Sequence, residues 1–152
     1  MKKLLLHSSS AALAALLLCL SFSACASSGF EAAEGKVWLL TAIEGNLPEA
    51  AFTREDIPEG NNTRENAWFS LSFDAGKVSG IGAPNRFNGP FATDGSKISQ
   101  SGPFASTMML ALNAPETLSE STFFKLLQDA SSWELGENQL IILSGKDKLI
   151  FQ

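Results

Sequence analysis

The sequence predicts an α+β domain, mainly antiparallel β, with about eight short strands and one late helix. Two observations carry this. Beyond residue 36, apolar residues alternate in short runs broken by Gly, Pro, Asn and Asp, the period-two pattern of half-buried strands. One late stretch instead shows apolar spacing of i, i+3, i+4, i+7, the stripe of an amphipathic helix.

Val37 to Ile43 is the first expected strand, with Trp38, Leu40 and Ala42 on one face. Trp68 to Phe73 follows, with Phe69, Leu71 and Phe73 pointing one way and Ser70 and Ser72 the other. Asp74-Ala75-Gly76 turns the chain into a strand over Lys77 to Ile81. Arg86 to Ala92 alternates again, with Phe87, Gly89 and Phe91 on one face. Asp94-Gly95 is a tight-turn signal leading into Lys97 to Gln100. Phe104 to Leu110 is apolar and irregular. The helix is expected to be capped by Asn113, with Pro115 in its first turn and Glu116 as capping-box partner. Phe123, Leu126, Leu127 and Ala130 form its stripe, and it should end near Ser131-Ser132. Trp133 to Leu135, Leu140 to Leu143 and Lys148 to Phe151 close the domain as strands. Leu140 to Leu143 is apolar on both faces, so it should be central and covered on both sides.

The N-terminus reads as an export signal. Met1-Lys2-Lys3 is followed by an apolar run, Leu4 to Phe22, and then by Ser23-Ala24-Cys25. The core of that run is shorter than the roughly 20 residues that span a bilayer. The expected organisation is therefore a signal peptide over 1–24, a lipidated tether over 25–35 that starts at Cys25, and a folded domain over 36–152. Ala26 after Cys25 points to the outer membrane of a two-membrane cell, or to the surface of a single-membrane one. Loss of Lys2 and Lys3 would leave nine basic and sixteen acidic residues, a net charge of about −7. Such a chain repels nucleic acid.

The expected mature chain is chemically sparse. His7, the only histidine, leaves with the signal, and the chain has no tyrosine. Cys25 would be thioether-linked to lipid. That excludes Ser-His and Cys-His catalysis, His/Cys zinc sites and disulfides. The Asp and Glu residues are scattered, with no dyad or calcium-loop spacing. No enzyme activity, metal or cofactor is expected.

The block Gly80-Ile81-Gly82-Ala83-Pro84-Asn85-Arg86-Phe87-Asn88-Gly89-Pro90-Phe91, with Gly95 and Thr107-Met108-Met109 after it, resembles the META domain family, which includes HslJ-like heat-shock proteins. Trp38-Leu39-Leu40, the helix bearing Phe123 and Leu127, Trp133-Glu134-Leu135 and the final Leu149-Ile150-Phe151 agree with that resemblance, which covers residues 36–152. It implies a small, partly open β-barrel with one helix packed on or into it, and an association with envelope stress or virulence. Many members carry Gly-Cys before the Asn-Arg-Phe and a second cysteine after the Thr-x-Met. Here those places hold Ala83-Pro84 and Ala111, so this chain cannot use that cysteine pair.

The candidate binding residues are Asn85, Arg86, Phe87, Asn88, Gly89, Thr107 and Met109. Asn85 and Gly89 read most simply as structural, as a residue tolerant of left-handed backbone and as a site of bulge or close approach. Arg86 and Asn88 face away from Phe87. Phe87, Phe91, Phe104, Met108 and Met109 read as core, or as the wall of an apolar pocket. Thr53 to Asn66 is a long polar loop, either plain surface or a binding loop. The expected function is a membrane-anchored envelope lipoprotein whose domain binds another envelope protein as a stress or assembly factor. The alternative is a carrier of a small hydrophobic ligand or acyl chain within the barrel.

Overall fold

The computed structural model describes residues 29–46, 52–53, 67–110 and 117–152. The expected signal peptide, Cys25, nearly all of the Thr53–Asn66 loop and the expected cap at Asn113 lie outside these residues. A 3-10 turn at Phe30–Ala32 precedes β1 (Val37–Glu44), β2 (Phe69–Asp74), β3 (Lys77–Gly82), β4 (Asn85–Asp94), β5 (Lys97–Gln100) and β6 (Ala105–Ser106). Helix α1 (Glu120–Gln128) follows, then β7 (Ala130–Leu135), β8 (Leu140–Ser144) and β9 (Asp147–Phe151).

The strands run in the order β3-β2-β1-β9-β8-β7-β5-β4, and pairing of β3 with β4 closes the ring. All pairs are antiparallel; β5 pairs with the end of β4, and the short extra strand β6 pairs with Phe87 and Asn88 nearer its start, on the edge opposite β3. The result is an eight-stranded antiparallel barrel with one extra strand and a helix. Its thinnest seam lies between β5 and β7, where Lys97 and Ser132 are the only pair in register. Trp133 stitches that seam, donating its backbone N–H to Ser96 O at 2.9 Å and its Nε1–H to Gly95 O at 3.0 Å.

Tight turns set the register as their sequences dictate. Asp74 pairs with Lys77 around Ala75 (φ 46°) and Gly76 (φ 76°). Two positive φ angles are what a type I′ hairpin requires, because its twist matches that of the strands. Gly95 and Gly145 supply positive φ in the β4–β5 and β8–β9 turns.

Aromatic rings fill the interior and stopper it at both ends. Near the start of β2, Phe123 of α1 lies 4.9 Å from Phe69 and 6.1 Å from Phe87, ring centre to ring centre. Phe52 packs edge-on against the same Phe69. Near the end of β2, Phe30 lies 4.9 Å from both Phe73 and Trp133 and 5.3 Å from Phe91. Each ring buried this way contributes on the order of 1.5–3 kcal/mol. The cavity left among Phe73, Phe91, Phe104, Leu127 and Ile142 is only about 20 Å³.

Several expectations are corrected. The tether was expected to run to residue 35, but Phe30 is buried and Trp38 Nε1 donates to Ala33 O at 2.9 Å, so residues 30–33 pack as part of the barrel. In β1 a register shift between Leu40 and Ala42 turns Ala42 away and puts Ile43 inside with Trp38 and Leu40. The helix starts later than expected, since Thr117 to Ser119 are not helical. Ser119 is the cap, its Oγ accepting the Thr122 N–H at 3.1 Å. Phe123, Leu126 and Leu127 are buried as the stripe requires, but Ala130 already belongs to β7. β8 is central, between β7 and β9, yet Ile141 and Leu143 are only half-buried because nothing among the described residues covers that outer face fully. Met108 and Met109 are not core; both are exposed, as is Leu110.

Candidate functional site

The Asn-Arg-Phe block forms the rim of the barrel where β4 begins. Asn85 is buried at 6% exposure and is the hub of a polar knot. Its Nδ2–H donates to Glu120 Oε2 at 2.8 Å. Its Oδ1 accepts from Thr107 Oγ1–H at 3.0 Å and from the Met109 backbone N–H at 2.6 Å. Ser106 Oγ–H reaches the other oxygen of Glu120 at 3.1 Å. Thr107 also grips β4 directly: its backbone N–H donates to Arg86 O at 3.0 Å, and its Oγ1 accepts the Arg86 N–H at 3.1 Å. One buried amide therefore ties together β4, the segment after β6 and the first turn of α1. Glu120 suits that place because a carboxylate is favoured at a helix N-terminus.

Asn85 is thus structural, but not for the reason its residue type suggested. Positive φ falls instead on Ala83, at 33°. Gly89 is a close-approach position as expected. A Cβ there would run into the Phe104 ring. Phe87 is buried, packed 5.2 Å from Phe104 and 5.0 Å from Phe124. Phe91 is also buried, and Phe104 is half-buried.

Arg86 and Asn88 are exposed on the outside of β4. They border a shallow hollow of about 300 Å³ over Ser70, Ser72, Ser79 and Ile81. Among the described residues the Arg86 guanidinium has no hydrogen-bond or ion-pair partner. Beside it runs the segment after β6, with Met108 at 101%, Met109 at 58% and Leu110 at 82% exposure. The structure therefore brings Asn85, Arg86, Thr107 and Met109 to one rim, while Phe87 and Gly89 support it from within. Ser106 and Glu120 were missed from the sequence. The available signal was Ser119-Glu120, a cap residue followed by an acid at the head of an apolar stripe. A larger surface hollow of about 620 Å³ lies elsewhere, over Lys36 to Leu39, Glu137 and Gln152. Among the described residues no group of three or more His, Cys, Asp or Glu could hold a metal ion.

A family model described as META domain matches residues 32–152. The chain belongs to the META domain family. No curated protein matches it. Solved structures share the fold. A protein solved by NMR is 21% identical, with a TM-score of 0.56 over 80% of this chain and 92% of its own. An NMR structure of a protein from Burkholderia xenovorans is 16% identical, with a TM-score of 0.56 over 80% and 83%. A DUF4847 family protein from Bacteroides vulgatus is 17% identical, with a TM-score of 0.52 over 80% and 94%. At these identities the likeness is one of fold. In this META domain, the motif residues build a rim whose buried members hold its exposed members in place.

Proposed function

We propose that the protein is a membrane-anchored envelope lipoprotein whose META domain is a non-catalytic protein-binding or assembly module, with the Asn85-pinned rim as its contact surface. The observation that supports this is the exposure of Met108, Met109 and Leu110 on a backbone fixed by hydrogen bonds. A contiguous exposed apolar patch marks an interaction site more often than chance surface does. Methionine adapts to a partner's shape, and holding the segment in advance lowers the ordering cost of binding. Arg86, exposed beside the patch and without a side-chain partner among the described residues, adds a group that interfaces favour.

The polarity of the barrel agrees with anchoring. A lipid on Cys25 would attach close before Gly29, at the Phe30 end. The rim lies at the Phe123 end and would face away from the membrane. The carrier reading has no comparable support. An interior cavity of about 20 Å³ holds about one water, whereas sites for small ligands measure on the order of 300–1,000 Å³.

The test is a photoreactive amino acid at Met109 in the lipidated protein, irradiated in its own envelope. The expected result is a discrete protein adduct that is absent when the label sits at the exposed Lys148 and is lost on Asn85→Ala. Absence of any adduct from Met108, Met109 and Arg86 would refute the assignment. Cys25→Ser should release the protein from the membrane fraction.

A further inference from the structure

We infer that the rim takes an acidic–apolar peptide segment of its partner, whose carboxylate seats on Arg86 while neighbouring apolar side chains cover Met108 to Leu110. This rests on the reading that the rim binds protein, and it names the chemistry of the partner. Arg86 stands between two surfaces of different kinds. Toward β3, where Ile81 is its cross-strand neighbour, it borders the hollow of about 300 Å³. On its other edge Thr107 holds it, donating a backbone N–H to Arg86 O and accepting the Arg86 N–H on Oγ1. Thr107 leads directly into Met108, so the polar hollow and the apolar ledge meet at Arg86.

The unanswered charge at this junction is positive. Among the described residues of the rim the other charged group is Glu120, and both its oxygens are engaged, one by Asn85 Nδ2–H at 2.8 Å and one by Ser106 Oγ–H at 3.1 Å. The Arg86 side chain is exposed and has no partner among the described residues. No Asp or Glu lines the hollow. Ser72, Ser79 and Asn88 do line it, and their side chains make no hydrogen bond to another described residue, which leaves hydroxyl and amide protons for an anion. A guanidinium fork takes a carboxylate through two parallel N–H···O bonds. The ledge adds no charge of its own, since residues 98–115 contain no Asp, Glu, Lys or Arg; it asks only for apolar contact. The net charge of −5 decides between a peptide and an anionic membrane surface. A membrane would oppose that charge across a whole face, whereas a short acidic segment meets Arg86 locally and is repelled elsewhere.

Selection from a random-peptide library on the full lipidated chain, held in nanodiscs of phosphatidylcholine, tests this. The expected result is several-fold enrichment of Asp or Glu beside Leu, Ile, Met or Phe. On Arg86→Glu the acidic enrichment should disappear, with Lys or Arg enriched in its place. On Met108→Ser combined with Met109→Ser the apolar enrichment should fall while the acid is kept. All three side chains are exposed, so neither variant disturbs the core. Unchanged acidic enrichment on Arg86→Glu, or enrichment of apolar residues alone, would overturn the inference. Arg86-dependent capture of the nanodiscs by phosphatidylglycerol vesicles, with no peptide enriched, would make an anionic lipid surface the occupant and overturn it as well. If the enriched peptides proved indifferent to Arg86 while Met109 still gave a protein adduct, the binding role would stand and the acidic partner would fall. If neither enrichment nor adduct appeared, both would fall.

Discussion

Asn85 Oδ1 accepts the Met109 backbone N–H at 2.6 Å, so a buried side chain of the barrel fixes the main chain beneath an exposed apolar side chain. The same oxygen takes Thr107 Oγ1–H, and the same amide gives its N–H to Glu120. The motif's first residue is thereby the support of its surface rather than part of it.

Asn85→Ala should cost about 2 kcal/mol, because it removes the Met109 N–H's acceptor and one of the partners of both the Glu120 carboxylate and the Thr107 hydroxyl. Denaturant midpoints measure that cost. Hydrogen exchange should quicken at Thr107 and Met109 before it does in β2 or β9. Uniform quickening across the barrel, or no local change, would contradict the hub.

Gly80→Ala should be more damaging than Gly89→Ala. A Cβ on Gly80 would run into the backbone oxygen of Ser70, which can yield only if β2 moves. On Gly89 it meets the Phe104 ring, which is half-buried and can shift. Overpacking of the second kind costs about 1–3 kcal/mol, and the first should exceed about 3 kcal/mol. Phe104→Leu should restore part of the loss at Gly89 and none at Gly80.

Phe30→Ala should destabilise the fold by about 3–5 kcal/mol, as expected for a buried Phe truncated to Ala. Were residues 26–35 a mere tether, the same change would be silent in thermal unfolding.

Ala75→Asn should stabilise by about 0.5–1 kcal/mol. Ala75 has φ 46° in an exposed two-residue turn before Gly76, and Asn-Gly occupies that conformation with less strain. A lower denaturant midpoint would show that the turn is not type I′.

Much of the fold was legible because alternation and turn residues reinforce one another. Lys97–Gln100 was bounded by Asp94-Gly95, and Phe69, Leu71 and Phe73 sit inside as their period demands. The failures share a cause, since each depended on packing between distant segments. The register shift in β1 leaves no mark in a run where Leu40, Ala42 and Ile43 are all apolar. Phe30 and Phe52 are isolated aromatics without a periodic neighbour, yet tertiary contacts bury both. Met108 and Met109 look like core by composition, but the segment bearing them follows β6 along the rim, where both side chains are exposed. Asn85 and Gly89 were legible as special positions. The partners that make Asn85 special, Thr107 and Glu120, lie 22 and 35 residues away.

The account holds that this protein acts through its rim and not through its interior. Native mass spectrometry of the protein purified from its own host tests that most directly. The account predicts the bare mass of the polypeptide with its covalent anchor. A reproducible additional mass of acyl-chain size, lost on denaturation, would contradict it.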